Sequence, residues 1–211
     1  MANRRQHIVE LAAQVVYRQG FKGTSVENVL EIAGVGKGNF YHYFRSKDEL
    51  GIAIIGEMEK WINGPPGDEM FGPTKAPLQR LEDYIAYVRE QRHEDNHGDP
   101  LGNLAAELGD TEPFVKPLRK ALDALTERFE ALVSEYALER GVQVDPRTIA
   151  RSLVAHIHGL STIFKVDRDP QAFDVSLERT ILMIQNQTRL PEPQPQPQSG
   201  IEVGERRPTA R

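Results

Sequence analysis

Two stretches of this 211-residue chain combine residue types and spacing that could do chemistry. The first is Lys37-Gly38-Asn39-Phe40-Tyr41-His42-Tyr43-Phe44, followed closely by Lys47. On a short helix Phe40 and Phe44, four apart, share one face, which leaves Lys37, Gly38, Asn39, Tyr41 and His42 on the other. Those outward groups suit double-stranded DNA. Lys37 can reach a guanine edge or a phosphate, Asn39 can hydrogen-bond a base, and Gly38 admits a base pair or a thymine methyl closely. Tyr41 and His42 end in groups that hydrogen-bond phosphate oxygens, and Lys47 stands beside the same backbone.

The second stretch, His93-Glu94-Asp95-Asn96-His97, has the H-E-x-x-H spacing in which two histidines on one helix face hold zinc and the glutamate polarises its water. This makes a zinc-dependent hydrolase the rival reading. Its surroundings disagree. The stretch follows Arg89-Glu90-Gln91-Arg92 and runs into Gly98-Asp99-Pro100, which breaks a helix, and no third ligand recommends itself. It reads as a solvated helix end and loop. His156 and His158 are two apart and point to different sides of a helix. No Gly-rich phosphate loop and no Gly-x-Ser-x-Gly elbow appears, so no catalytic residue, metal or cofactor is expected.

The elements around the first stretch explain how it is held. Ile8, Leu11, Ala12, Val15 and Val16 recur at steps of three and four, giving a first amphipathic helix that ends at Gly20. Thr24 or Ser25 caps a second helix with Val26, Val29, Leu30 and Ala33 on its buried face, and its first amides form a phosphate site. Gly34 supplies the turn, Val35 plugs the angle, and a third helix runs from Lys37 to about Phe44. The pattern is a helix-turn-helix.

Composition narrows the rest. The hydrophobic content of 39% suffices for a real core, and no cysteine is present, which excludes disulfides, thiolate metal sites and a cysteine nucleophile. No apolar run approaches the ~20 residues of a membrane span, and no signal-peptide core follows the N-terminus, so a cytoplasmic protein without a membrane partner is expected. The net charge of −5 is unevenly spread. Residues 1–50 carry seven Lys or Arg against five acids, a net of +2, which leaves −7 on the remaining 161 residues. A basic head on an acidic body fits a protein that meets DNA with one end.

After Leu50 the chain also reads as helix. Leu50, Ile54, Met58 and Trp61 form a stripe on a helix from Lys47 to about Ile62, ended by Gly64-Pro65-Pro66-Gly67. A helix near Pro77 turns Leu78, Leu81, Ile85 and Val88 inward. Leu118, Leu122, Leu125, Phe129, Leu132 and Tyr136 mark a long seam that stops at Gly141. Pro146 opens a helix with Ile149, Leu153, Ile157, Leu160 and Phe164 aligned, and Asp174 caps a last one with Leu177, Ile181 and Ile184. These two helices are apolar nearly all round, so those eight residues are the expected dimer interface, a four-helix bundle with a second copy. Beyond Leu190, five of the fourteen prolines occur in a segment with almost nothing to bury, an extended or disordered tail.

The run GVGKGNFYHYFRSKDEL closely resembles the recognition helix and following helix of the TetR family of bacterial repressors, and GFKGTSVENVLEIA resembles that family's preceding connection. The likeness spans residues from about 4 to 55. It implies phosphate contacts by Thr24, Ser25, Tyr41, His42 and Lys47 and base reading by Lys37, Gly38 and Asn39. It also implies a homodimeric repressor released from a palindromic operator by a small-molecule effector. The segment HGDPLGNLAAELGD resembles one TetR subgroup (AcrR/NemR/AcuR-like) whose members respond to small reactive compounds. A cysteine that commonly follows the glycine there is replaced by Asp99, so a reversible, non-covalent effector is expected.

The expected architecture is therefore all-α: a helix-turn-helix head over 1–46, a helical effector-binding and dimerisation domain over 47–190, and a Pro/Gln-rich tail over 191–211. Expected to line the effector pocket are Trp61, Tyr84, Tyr87, Asn103, Glu107, Phe129 and His156. The other reading is a constitutive DNA-binding protein with no effector and a fully packed body.

Overall fold

The computed structural model describes residues 4–95 and 99–188, the side chains of 92–95 excepted. The His93-Glu94-His97 reading and the tail from residue 191 therefore lie outside the described residues. Every regular element among the described residues is a helix. α1 (Arg4–Gln19), α2 (Val26–Ala33), α3 (Lys37–Tyr43) and the start of α4 (Lys47–Asn63) close around Ile8, Ala12, Val16, Val29, Phe40, Phe44 and Leu50.

The caps follow the sequence. Ser25 closes a reciprocal box with Asn28 at the start of α2, and Gly34 ends that helix at φ 59°. Ser46 caps α4 by accepting from the Glu49 amide, while Glu49 accepts from the Arg45 amide. Each arrangement satisfies two amides the helix cannot satisfy itself, typically worth about 1 kcal/mol per cap.

The body holds α5 (Pro65–Phe71), α6 (Pro77–Asp95), α7 (Pro100–Leu108), α8 (Val115–Arg140), α9 (Pro146–Asp167) and α10 (Pro170–Gln187). α8 is the central post. It packs against α4, α6, α7 and α9, with Leu118, Leu125, Phe129, Leu132 and Tyr136 buried along the seam, and it stops at Gly141, φ 66°. α4 runs from the head core onto α8, so one rigid helix belongs to both halves.

Four expectations are corrected here. Gly64-Pro65-Pro66-Gly67 does not merely end α4; it also starts α5, because two prolines suit the first helical positions. Gly67 lets that turn close, since a Cβ there would lie 1.9 Å from the Ile62 carbonyl oxygen. The last helix is capped by Asp169, directly before Pro170, whereas Asp174 lies inside it and pairs with Arg89. In α6, Leu78 is only half-buried and Arg80 is 2% exposed. The Arg80 guanidinium donates to the Phe71 carbonyl at 2.9 Å and pairs with Glu135, tying α5 and α6 to α8.

The fourth correction concerns the expected dimer stripe. Ile149, Leu153, Ile157, Phe164, Leu177 and Ile184 are buried within the monomer, and Leu160 and Ile181 pack partly against the same core. The most regular stripe on each helix is the one consumed by α8 and by the α9–α10 contact. The apolar residues left outward are Ile163 and Val166 on α9 and Val175 and Leu182 on α10, at 56, 81, 50 and 53% exposure.

Candidate nucleic-acid interface and ligand cavity

α3 is a short amphipathic wedge. Phe40 and Phe44 are fully buried, 5.6 Å apart, and pin one side to the head core. Lys37, Gly38, Asn39, Tyr41 and His42 are all exposed on the other side. Tyr41 meets Phe40 edge-on at 5.2 Å, which fixes its ring while its rim faces solvent. Lys37 reaches Glu27 at only 3.7 Å with both side chains well exposed, a pairing too weak to hold it from a better partner. A Cβ at Gly38 would meet nothing within 4 Å, so its missing side chain leaves room outside the protein and relieves no internal crowding.

Three of the expected contact residues are also structural. Thr24 is 3% exposed; its hydroxyl donates to the Gly20 carbonyl at 2.7 Å and its amide to the Phe21 carbonyl at 3.1 Å. It shapes the turn, with its hydroxyl and amide already engaged inside the head. The Ser25 hydroxyl is engaged by Asn28, so the phosphate-facing groups at this end are the first amides of α2. The Lys47 ammonium stands 4.4 Å over the Phe21 ring, a cation–π attraction that holds the charged group against the head.

The head is latched to the body at that same phenylalanine. Phe21 meets Phe114 edge-on at 5.1 Å and lies on Gly51 of α4, where a Cβ would come within 2.5 Å of its ring. Glu107, at the end of α7, accepts from the Phe21 amide at 2.8 Å and the Lys22 amide at 2.5 Å, and the Lys22 ammonium donates to the Glu107 carbonyl at 3.0 Å. Glu107 therefore grips the α1–α2 connection and does not line the cavity, as had been expected of it.

The body encloses a cavity of about 550 Å³ reached by α1, α4, α6 and α7 together. Trp61, Tyr84 and Tyr87 line it as expected from their sequence positions. Trp61 and Tyr87 are stacked 4.9 Å apart, and Tyr84 lies 6.1 Å from Tyr87. Burial pushes the phenols of Tyr17, Tyr84 and Tyr87 up, so all three are uncharged donors near neutral pH. At the mouth, burial alone would raise Glu57, but hydrogen bonds from Lys60 and Gln6 more than reverse it and lower its pKa.

The remaining expected pocket residues fall elsewhere. Phe129 is fully buried under Tyr84 and Phe71, at 5.1 and 5.4 Å, and serves as core behind the wall. His156 binds the Ser176 carbonyl across α9 and α10 at 3.2 Å. Asn103 is half-buried on α7 away from the lining. Sequence periodicity marks residues that face inward, but it does not separate a core that is filled from one that is hollow.

Several lining residues went unrecognised in the sequence, Tyr17 and Asp99 foremost. Tyr17, with Val9 and Ala13, brings α1 of the head into the cavity wall. Asp99 caps α7 by accepting from the Leu101 amide at 3.1 Å, and its other oxygen faces His158 Nδ1 on α9. Gly102 permits the approach, since a Cβ there would lie 2.7 Å from His158 Nδ1. Burial pulls the His158 imidazole down to about 4, so near neutral pH it meets Asp99 as an uncharged ring. The signal available in the sequence was Asp99 before Pro100, a helix-start pair.

A buried aromatic anchor, an exposed basic and polar face on a short second helix, and a basic head on an acidic body define a helix-turn-helix DNA-binding protein. Comparison with known proteins agrees. Residues 8–54 match the model for bacterial regulatory proteins of the tetR family. A helix-turn-helix transcriptional regulator from the lacX 3′ region of Lactococcus lactis subsp. lactis is 29% identical over 177 residues, covering 80% of this chain and 87% of the relative. The transcriptional repressor DhaR of Mycobacterium sp. (strain GP1) is 27% identical over 173 residues, 81% of this chain and 86% of the relative. The crystal structure of the regulatory protein TetR from Rhodobacter sphaeroides superposes with a TM-score of 0.77 at 24% identity, over 84% of this chain and 97% of that one.

Residues 8–54 thus carry a DNA-binding head like that of the tetR family, and along most of its length the chain is similar to helix-turn-helix transcriptional regulators. No described helix is long and apolar enough to cross a membrane.

Proposed function

We propose that this protein is a homodimeric repressor that a small molecule releases from a two-fold operator. The observation that carries the reading is a cavity of about 550 Å³ whose wall includes α1 of the DNA-binding head. A cavity of this size is in the range that takes a small ligand. An occupant seated there touches α1, α4, α6 and α7 at once, so it acts directly on the angle between head and body. Volume added between α1 and α6 favours conformations with the head tilted away. In a dimer, that tilt changes the separation of the two α3 helices, which must match successive major grooves.

The other roles follow from placement. Lys37, Gly38 and Asn39 read base edges, Tyr41, His42 and Lys47 hold phosphates, and the first amides of α2 near Ser25 hold another. The second copy covers Ile163, Val166, Val175 and Leu182, whose exposure a lone monomer in water would leave uncompensated. Residues 1–46 are the reading head, 47–190 the sensing and dimerising body, with α4 shared. The workplace is the bacterial cytoplasm, where the operator is.

Footprinting with purified protein, on fragments flanking its own gene and over a range of salt, tests the reading. A two-fold protected site whose affinity falls steeply with salt is the expected result. Sequence-blind binding, or a monomer at the concentrations that protect DNA, rejects it.

A further inference from the structure

The cavity wall sets aromatic rings and carboxyl groups among aliphatic side chains. Trp61, Tyr84 and Tyr87 present rings to it, and Tyr17 closes the side toward α1. The face of such a ring is the negative end of its quadrupole, so the wall attracts cations and repels anions. The charged residues add to this. Glu10, Glu57 and Asp99 line the cavity, and Lys60 is the one base among the described lining residues. Lys60 is engaged, 2.7 Å from Glu57, and its side chain is 70% exposed at the rim. At the inner end His158 is held uncharged by burial and so does not neutralise Asp99. Beside low-dielectric protein walls these like signs are felt more strongly than in bulk water.

We propose that the cavity takes a flat aromatic organic cation, its ring against Trp61 and Tyr87 and its positive charge favoured by the surplus of carboxyl groups, Glu10, Glu57 and Asp99, in the lining. The proposal rests on the reading of this cavity as the effector site. An aromatic carboxylate of the same size would set like charge beside Asp99 and lose the attraction of the ring faces. Two or three fused rings fit the volume.

Calorimetric titration of the full chain with three probes of one size tests this: (2-naphthylmethyl)trimethylammonium, 2-naphthylmethanol and 2-naphthylacetate. The ammonium should bind more tightly than the other two by about tenfold. Glu57→Gln and Asp99→Asn should each weaken the ammonium several-fold and leave the alcohol unchanged. Glu57→Gln guards against the case in which Asp99→Asn unfolds α7 by losing its cap. Equal affinity for the three, tighter binding of the acetate, or binding of none overturns the proposal. The same probes, added to the protein–operator complex, separate the two ideas. Ammonium that binds but leaves the operator occupied supports the cation site and sinks the effector reading. Release by the acetate or the alcohol alone keeps the effector reading and sinks the cation site.

Discussion

Two glycines divide the molecule by the way it uses empty space. Gly38 sits on the exposed face of α3, where a Cβ would meet nothing of the protein within 4 Å. Gly51 sits in α4 under the head, where a Cβ would come within 2.9 Å of both the Phe21 and Phe114 rings. The first leaves room for a partner outside the protein; the second makes room for the protein's own aromatic plug. The exposed face of α3, proposed to meet DNA, is thus a local surface, open and built from one short helix. The junction and cavity are assembled from helices far apart in sequence.

That contrast can be broken at several places. Gly38→Leu should abolish operator binding, by on the order of a thousandfold, because bulk enters the space where a base pair must come. Its melting temperature should not fall, since helix propensity rises and nothing clashes; a drop in melting temperature would show that Gly38 serves the fold.

His158 offers a test of the body's dry interior. Its folded pKa lies below the ordinary value of 6.5, near 4, so the unfolded chain binds the extra proton. Stability is then intact above pH 6.5 and is lost as pH falls toward 4, by on the order of 3 kcal/mol. His158→Gln should flatten that stretch of a stability-against-pH curve. An unchanged slope would mean that the ring is charged beside Asp99.

Gly51→Ala should cost about 2 kcal/mol in chemical denaturation, since it overpacks the Phe21–Phe114 contact. It should also weaken DNA binding through head position, leaving base preference alone. Lys37→Ala and Asn39→Ala should each cost about 1–3 kcal/mol at the cognate site and relax base preference. Lys47→Ala should weaken all sequences alike and lower the salt slope by about one. Equal losses on all sequences from all three would dissolve the division between reading and holding.

The smallest expected effect belongs to the Glu107 latch. Glu107→Gln keeps the shape but replaces an acceptor carboxylate, so the Phe21 and Lys22 amides should exchange with solvent about tenfold faster, a loss of about 1.4 kcal/mol in local opening. Unchanged exchange would show that Phe21 and Phe114 hold the head without it.

Much of this was legible beforehand for reasons that differ by region. α1 to α3 were readable to within a residue because caps, turns and a one-sided apolar pattern are local, and the reading face is simply what that pattern leaves outside. Trp61, Tyr84 and Tyr87 were readable as inward. That they border a hollow while Phe129 backs it was not, because volume depends on what the facing helices bring. Thr24 reads by its type as a phosphate contact, and only the fold shows that its hydroxyl also ties down the Gly20 carbonyl. The expected dimer stripe misled because the strongest periodicity belonged to the deeper partners within the monomer, α8 for α9, and α9 and α6 for α10. Arg80 was missed because an arginine among leucines reads as a solvated residue until Glu135, fifty-five positions on, is folded beside it.

By itself, then, the sequence determined the all-helical class, the caps and turn of the head and the outward face of α3, since each is set by neighbours within a turn or two of the chain. Only the tertiary structure decided that α1 walls the cavity, that Glu107 and Phe21 join head to body, and that Asp99 meets His158. Each of those depends on side chains brought together across dozens of residues, and no local pattern encodes such a meeting.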